Sequence, residues 1–139
     1  MKLNKVIIIL GEPQSTFSEI IFKYFNSNEF IKNKKKIIII GSVNLLRKQM
    51  KKLKFNFNFM LIENIKEAKI NKLNLLNVDY NNKNIFSKIS SDSNEYISNC
   101  FKLGLNLIKK DKSIALINGP ISKKYFLKKK YLGITEYIS

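Results

Sequence analysis

At 139 residues, with 45% apolar and 12% aromatic side chains, the chain has the length and composition of one domain with a genuine core, which excludes a wholly disordered protein. A formal net charge of +16 would suit a nucleic-acid binder, but Arg47 is the only arginine among 26 basic residues, and abundant Lys, Asn and Ile point to A/T-rich codon bias rather than to a phosphate clamp built on the arginine fork. Cys100 is the only cysteine, which excludes an intramolecular disulfide, and the absence of histidine excludes a His-ligated zinc and an imidazole base.

The N-terminus carries Lys2 and Lys5 before an apolar run, Val6 to Leu10, that is too short for a signal-peptide core, and no segment reaches the length of a membrane span, so a cytoplasmic location is expected. Residues 5–10, KVIIIL, form a β-branched run closed by Gly11-Glu12-Pro13 and read as a strand buried on both faces. Thr16-Phe17-Ser18-Glu19 has the form of a capping box, and Ile20, Ile21, Tyr24 and Phe25 follow at helical spacing. Lys36 to Ile40 repeats the buried strand and closes at Gly41, with Ser42 as N-cap of a second helix. That helix has Val43, Leu46, Met50 and Leu53 on its apolar face and Arg47, Lys48, Lys51 and Lys52 opposite. Phe55, Phe57, Phe59 and Leu61 alternate with other residues as in an edge strand.

Residues 63–91 are rich in Asn, Lys and Ser, with a short strand expected at Leu73 to Val78. Asp92 or Ser93 caps a longer helix whose apolar face is Ile97, Phe101, Leu105 and Ile108, and which ends near Lys109, Lys110 and Lys112. Cys100 on this helix reads as a small buried apolar residue. Ser113 to Ile117 returns as a strand. Alternating strands and helices predict one α/β domain over residues 1–139, a three-layer sandwich around a mostly parallel sheet. The lysine runs Lys34-Lys35-Lys36 and Lys128-Lys129-Lys130 lie far apart, as solvated faces do.

In an open parallel sheet, ligands gather at the carboxyl ends of the strands, here Gly11-Glu12-Pro13, Gly41-Ser42 and Asn118-Gly119-Pro120. None matches a phosphate-binding fingerprint. The third loop is the best candidate, because a segment starting with free backbone N–H groups and carrying Ser122 and Lys123 is a natural anion site, although a plain strand-ending turn explains it equally well. Glu12 is open between accepting hydrogen bonds from a ligand and facing water, and Thr135-Glu136 between a ligand contact and an ordinary helix start. The acidic residues are scattered without metal-ligand spacing.

Taken in order, these pieces resemble the first half of the 4-hydroxythreonine-4-phosphate dehydrogenase family of pyridoxal phosphate biosynthesis. Ile9-Leu10-Gly11-Glu12-Pro13 with Ser18-Glu19-Ile20 resembles the family's T-x-G-E-P-A-G-I-G-P-E-I, and Ile40-Gly41 with Leu45-Leu46 its second strand and helix. Asn94 with Tyr96-Ile97 resembles the start of the helix before the third loop, Asn118-Gly119-Pro120-Ile121-Ser122-Lys123 the T-G-P-I-x-K motif, and Gly133-Ile134-Thr135-Glu136 the G-H-T-E motif.

The resemblance implies the N-terminal part of an isocitrate/isopropylmalate dehydrogenase-like fold, incomplete relative to the two-domain family. It also implies NAD-dependent oxidation of 4-phosphooxy-threonine at a divalent, zinc-like metal, in a cleft between two domains of a homodimer. The metal-binding histidines of the family lie beyond the part matched here. Gly119, Pro120 and Lys123 match its cleft turn and Thr135 its substrate-contacting threonine, whereas Ile134 stands where the family has a substrate-binding histidine. A substrate group left without that partner loses about 1–3 kcal/mol. Gln14-Ser15-Thr16-Phe17-Ser18 replaces the glycine-containing A-G-I-G-P, and Ser42 replaces an acidic residue. The expectation is a divergent or truncated member, inactive alone. The competing readings are a noncatalytic anion-binding or assembly module that pairs with a second chain, and a lysine-driven nucleic-acid binder.

Overall fold

Isoleucine runs are stiff at χ1 and pack well on a pleated surface, so the two runs near the N-terminus become the centre of the sheet. The computed structural model describes residues 2–81, 84–128, 130–131 and 133–139, so Lys129 of the second lysine run lies outside the described residues. Strands β1 (Lys5–Ile9), β2 (Lys36–Gly41), β3 (Phe59–Leu61), β4 (Leu73–Asn77) and β5 (Ile114–Asn118) form a five-stranded parallel sheet in the order β3-β4-β2-β1-β5. Helices α1 (Phe17–Phe25), α2 (Asn28–Lys32), α3 (Val43–Leu53), α4 (Asn94–Lys110) and α5 (Ile134–Ile138) complete the α/β architecture.

Side-chain alternation along the strands splits the core in two. Ile8, Leu10, Ile37 and Ile39 pack with Phe22 of α1 and Leu46 of α3 on one face, whereas Ile7, Ile9, Ile38 and Ile40 pack with Ile97 and Phe101 of α4 on the other. The isoleucines on both faces of the central strands are thereby buried, as a parallel sheet requires. Gly104 brings α4 down onto β1, since a Cβ there would lie 2.8 Å from the Cδ1 of Ile9.

Ser42 caps α3 as expected, its hydroxyl accepting from the Leu45 N–H at 3.2 Å. The other two expected caps differ. Thr16 precedes α1 at φ −88°, ψ 11°, away from the extended geometry in which a cap hydroxyl meets the helix, and makes no side-chain cap bond; Ser15 Oγ accepts from the Phe17 N–H at 3.3 Å instead. Ser93 precedes α4 at φ −90°, ψ −3°, also without a cap bond, and turns its hydroxyl toward the first loop. The buried face of α4 is Tyr96, Ile97, Cys100, Phe101 and Gly104, so Leu105 is only half-buried. The aromatic alternation yields a short edge strand, because Phe55 and Phe57 stack on each other at 5.8 Å and pack against the core instead of joining the ladder.

At the amino end of the sheet, Lys5 of β1 pairs with Asp111 at 3.2 Å, next to the start of β5. The Ser113 hydroxyl donates to Asp111 at 2.6 Å and the Ser113 N–H at 2.9 Å; with Lys5 they hold the Asp111 carboxyl down at about 2, from an ordinary 3.8. A carboxylate with a depressed folded-state value contributes stability above its unfolded value and loses it as pH falls through the folded one. Asp111→Asn is therefore expected to be less stable than the parent at neutral pH, with the gap closing between about pH 4 and pH 2 in urea titrations. A gap that stays constant with pH would refute this.

Candidate functional site

The order β5-β1-β2 puts three strand ends side by side, and the loops that follow them touch. The Gly119 N–H donates to the Ile9 carbonyl at 2.7 Å and the Glu12 N–H to the Pro120 carbonyl at 2.7 Å, so the first and third loops are laced backbone to backbone. Both glycines are sterically required. Gly11 has φ +76°, and a Cβ on it would sit 2.4 Å from the Pro120 oxygen; a Cβ on Gly119 would sit 2.2 Å from the Leu10 oxygen. The second loop joins through Tyr96 of α4, whose hydroxyl accepts from the Ser42 N–H at 2.9 Å. The carbonyl of Pro13 accepts from Gln49 of α3 at 3.0 Å.

Glu12 lies under this junction, 3% exposed. Its Oε1 accepts from the Gln14 N–H at 3.1 Å and its Oε2 from the Ser93 hydroxyl at 3.2 Å. It neither faces water nor presents a free carboxylate to a ligand, which resolves the ambiguity of the sequence reading. Burial raises its pKa above 4.5, opposed by the hydrogen bonds from Gln14 and Ser93. The sign of the linkage is reversed relative to Asp111: with the folded value above the unfolded one, the native state binds more protons between them, and stability falls as pH rises through that window. Glutamine fits the same site, accepting from Gln14 and donating to the Ser93 oxygen. Glu12→Gln is expected to be at least as stable as the parent at pH 7 and to lose the decline that begins near pH 4.5. A clearly less stable Glu12→Gln at neutral pH would show that the charge itself is needed.

Gly119 is buried in the junction and Pro120 is exposed at its rim. Ser122 begins a turn rather than a regular helix: its Oγ accepts from the Tyr125 N–H at 3.0 Å and its carbonyl from the Phe126 N–H at 2.9 Å. Lys123 projects into solvent from this turn. Ile134 and Thr135 open α5, with Ile134 half-buried against the α4 side of the core and Thr135 exposed. Tyr137 anchors that short helix, its ring 5.6 Å from Phe101 and 5.1 Å from Phe126. A cavity of about 380 Å³ beside it is lined by Asn94, Ser98, Lys128, Lys130, Tyr131 and Tyr137 among others.

Gly119 and Pro120 are thus joined to Gly11 and Glu12, while Lys123 and Thr135 stand on separate exposed segments. Ser93, Tyr96 and Gln49 tie the loops together and were not singled out as site residues by the sequence; their partners lie on other elements, and no local spacing marks them.

The histidine-held metal implied by the resemblance does not fit these residues. The chain has no histidine, and among the described residues no three Cys, Asp or Glu side chains gather as a ligand set. The Gly119 and Glu12 amides, committed to Ile9 and Pro120, do not offer a pyrophosphate an open run of N–H donors. Cys100 is buried against Tyr96, and burial pushes its thiol up to about 12, which makes it a packing residue. Among the described residues no helix is long and apolar enough to cross a membrane.

A family model described as "Pyridoxal phosphate biosynthetic protein PdxA" matches residues 33–139. No curated protein matches the chain. Among solved structures, a 4-hydroxythreonine-4-phosphate dehydrogenase from Burkholderia phymatum superposes with a TM-score of 0.82 at 18% identity, covering 99% of this chain and 43% of that one. A 4-hydroxythreonine-4-phosphate dehydrogenase from Klebsiella pneumoniae superposes with a TM-score of 0.76 at 14% identity, covering 96% of this chain and 42% of that one. The chain therefore spans less than half the length of these neighbours, and at such identities the likeness establishes the fold.

Proposed function

The chain belongs to the PdxA family of pyridoxal phosphate biosynthetic proteins, and from that premise we propose that residues 1–139 form one wall of the substrate cleft of a 4-hydroxythreonine-4-phosphate dehydrogenase. The observation that carries this reading is the lacing of Gly11-Glu12 to Gly119-Pro120 at the carboxyl end of the sheet, in the loops whose sequences resemble the family motifs. In this reading Lys123 and Thr135 contact a phosphorylated substrate, and Ile134 leaves unmade the bond that the family histidine supplies. NAD and the divalent metal of the family would be held largely by residues outside these 139. The setting is cytoplasmic.

The chain alone is proposed not to catalyse the oxidation. The direct test incubates the purified 139-residue chain with NAD, a divalent metal and 4-phosphooxy-threonine and follows NADH formation. No turnover together with measurable calorimetric binding of the substrate supports the one-wall reading. Robust NAD reduction would overturn the inactivity, and absence of binding would overturn the substrate assignment.

A second reading, an assembly module that needs another polypeptide, is favoured by the bare flank of the sheet. Edge strand β5 leaves Ile117 49% exposed next to Ile20 of α1, which is 59% exposed. Between them runs a groove of about 430 Å³ whose walls include Val6, Ile8, Phe17 and Tyr24. Both faces of a parallel sheet are ordinarily covered, so this flank suits a packed partner segment, and self-association of the lone chain is expected there. A monomer that unfolds cooperatively at high concentration would count against it.

A further inference from the structure

The five strands run the same way, so the segments that lead into them share one end of the sheet, opposite the candidate cleft. Hydrogen bonds stitch those segments into one surface. The Asn4 N–H donates to the Ser113 carbonyl at 3.0 Å and the Lys36 N–H to the Asn4 carbonyl at 3.1 Å, while the Asn71 amide nitrogen donates to the Ile31 carbonyl at 3.0 Å.

That surface carries charge of one sign. Lys34 and Lys35 lead into β2, Lys69 and Lys72 into β4, and Lys112 into β5, all exposed. Across residues 2–5, 31–36, 54–59, 69–73 and 109–114 the single acid is Asp111, which is tied to Lys5. Acids return in the segments that follow the strands: Glu12 and Glu19 after β1, Glu63 and Glu67 after β3, Asp79 after β4. A/T-rich coding raises the number of lysines without deciding where the acids stand. Helix dipoles favour lysine in last turns, as at Lys109 and Lys110 of α4, whereas the five exposed lysines sit in loops.

Exposed aliphatic side chains interrupt the lysines. Leu3, Ile31 and Ile70 are 42%, 64% and 43% exposed, and they precede β1, β2 and β4 respectively. The Lys35 amine donates to the Leu3 carbonyl at 3.2 Å, and the Asn71 bond brings Ile70 beside α2, so both kinds of residue share the face. We infer that this face seats the protein on an anionic lipid surface, with its lysines against the headgroup charges and Leu3, Ile31 and Ile70 in the boundary between headgroups and acyl chains. The cleft end then points to solvent. A nucleic acid suits the face less well, because phosphates have no use for protruding aliphatics, and Phe55, Phe57 and Phe59 of the lead-in to β3 pack against the core instead of offering rings to bases. The inference rests on charge placement and exposure and is independent of the dehydrogenase reading.

Vesicle flotation of the full chain tests it, since bound protein rises and self-associated protein does not. Vesicles of phosphatidylserine with phosphatidylcholine are expected to carry the chain up, phosphatidylcholine alone is not, and added salt is expected to release it. The triple variant Lys34→Gln, Lys69→Gln, Lys72→Gln is expected to bind about 100-fold more weakly, at about fivefold per lysine. The triple Lys88→Gln, Lys102→Gln, Lys124→Gln removes the same charge elsewhere and is expected to lose less than about fivefold. Ile31→Ser with Ile70→Ser leaves every charge in place and is expected to weaken binding several-fold. No flotation with phosphatidylserine, equal losses in the two lysine triples, or no loss in the serine pair would each overturn the inference. Binding to an RNA homopolymer that the first lysine triple abolishes and the serine pair leaves intact, without flotation, would assign the face to nucleic acid instead.

Discussion

Gly119→Ala is expected to lower stability by about 3 kcal/mol, from about 1–3 kcal/mol of overpacking and about 1 kcal/mol for a weakened hydrogen bond. The new Cβ would lie 2.2 Å from the Leu10 oxygen and 2.6 Å from Cδ2 of Phe17. The first of these is backbone, so the strain cannot be relieved by a side-chain rotation; the third loop must back away from the first. Doing so stretches the 2.7 Å bond from the Gly119 N–H to the Ile9 carbonyl and, next to it, the bond from Glu12 to Pro120. Gly133→Ala is the matched control, because nothing lies within 4 Å of its Cβ position and its φ of −169° is extended backbone open to any residue. Urea unfolding of the two variants side by side gives the answer. Equal midpoints would mean that the loops are not pressed together as described.

Phe101→Ala is expected to cost about 3–5 kcal/mol, the range for emptying a well-packed aromatic site. Phe101 is fully buried and joins two parts of the molecule, packing with β1 and β2 through α4 and against Phe126 and Tyr137 of the C-terminal segment. Helix α5 spans only Ile134–Ile138 and has no side-chain cap, so it is too short to persist without this docking. The loss should therefore be uneven, with α5 released before the sheet opens. Tyr137→Ala isolates that effect: limited proteolysis is expected to cut near the C-terminus while the sheet stays folded. Uniform protection of the C-terminal segment in both variants would refute the docking role.

The strands KVIII and KIIII were legible because a strand buried on both faces has to be apolar at every position, and that demand is written into consecutive residues. Ser42 was legible as a cap because a cap bonds three residues ahead. Thr16 and Ser93 carry the same local signal but went elsewhere or unused. Ser93 finds Glu12, far off in sequence, and no window of neighbouring residues contains that fact. Asn74 illustrates the same limit inside a strand that the sequence did mark, since the strand expected at Leu73 to Val78 is β4, Leu73–Asn77. No local pattern tells that this asparagine is fully buried, donating to the carbonyls of Ile37 and Lys69 and accepting from the Lys69 N–H.

The candidate site divides along the same line. The glycine-bearing loops and their convergence follow from strand order, which alternation of strands and helices foreshadowed. The ordered motifs around Gly11, Gly41 and Gly119 pointed to the family that the comparison of residues 33–139 bears out. What the sequence did not contain was the fate of the polar groups. Glu12 reads as a ligand-facing or solvent-facing acid from its place beside a glycine, and only the packing of α4 reveals that it is enclosed.

The central place of β1 in the sheet also governs how the molecule comes together in time. Lys5 pairs with Lys36 on one side and with Ile114 on the other, so β1 gains its second neighbour only once β5 has been synthesised. Pairings this distant in sequence raise contact order and defer the reward for closing a long loop, which slows folding. β1 and β2 can form a ladder early, with α1 between them in sequence, but the contact of Gly11 with Gly119 comes only after β5 is made. The junction of the first and third loops thus closes last among the contacts of β1, and without β5 that edge of the sheet stays open.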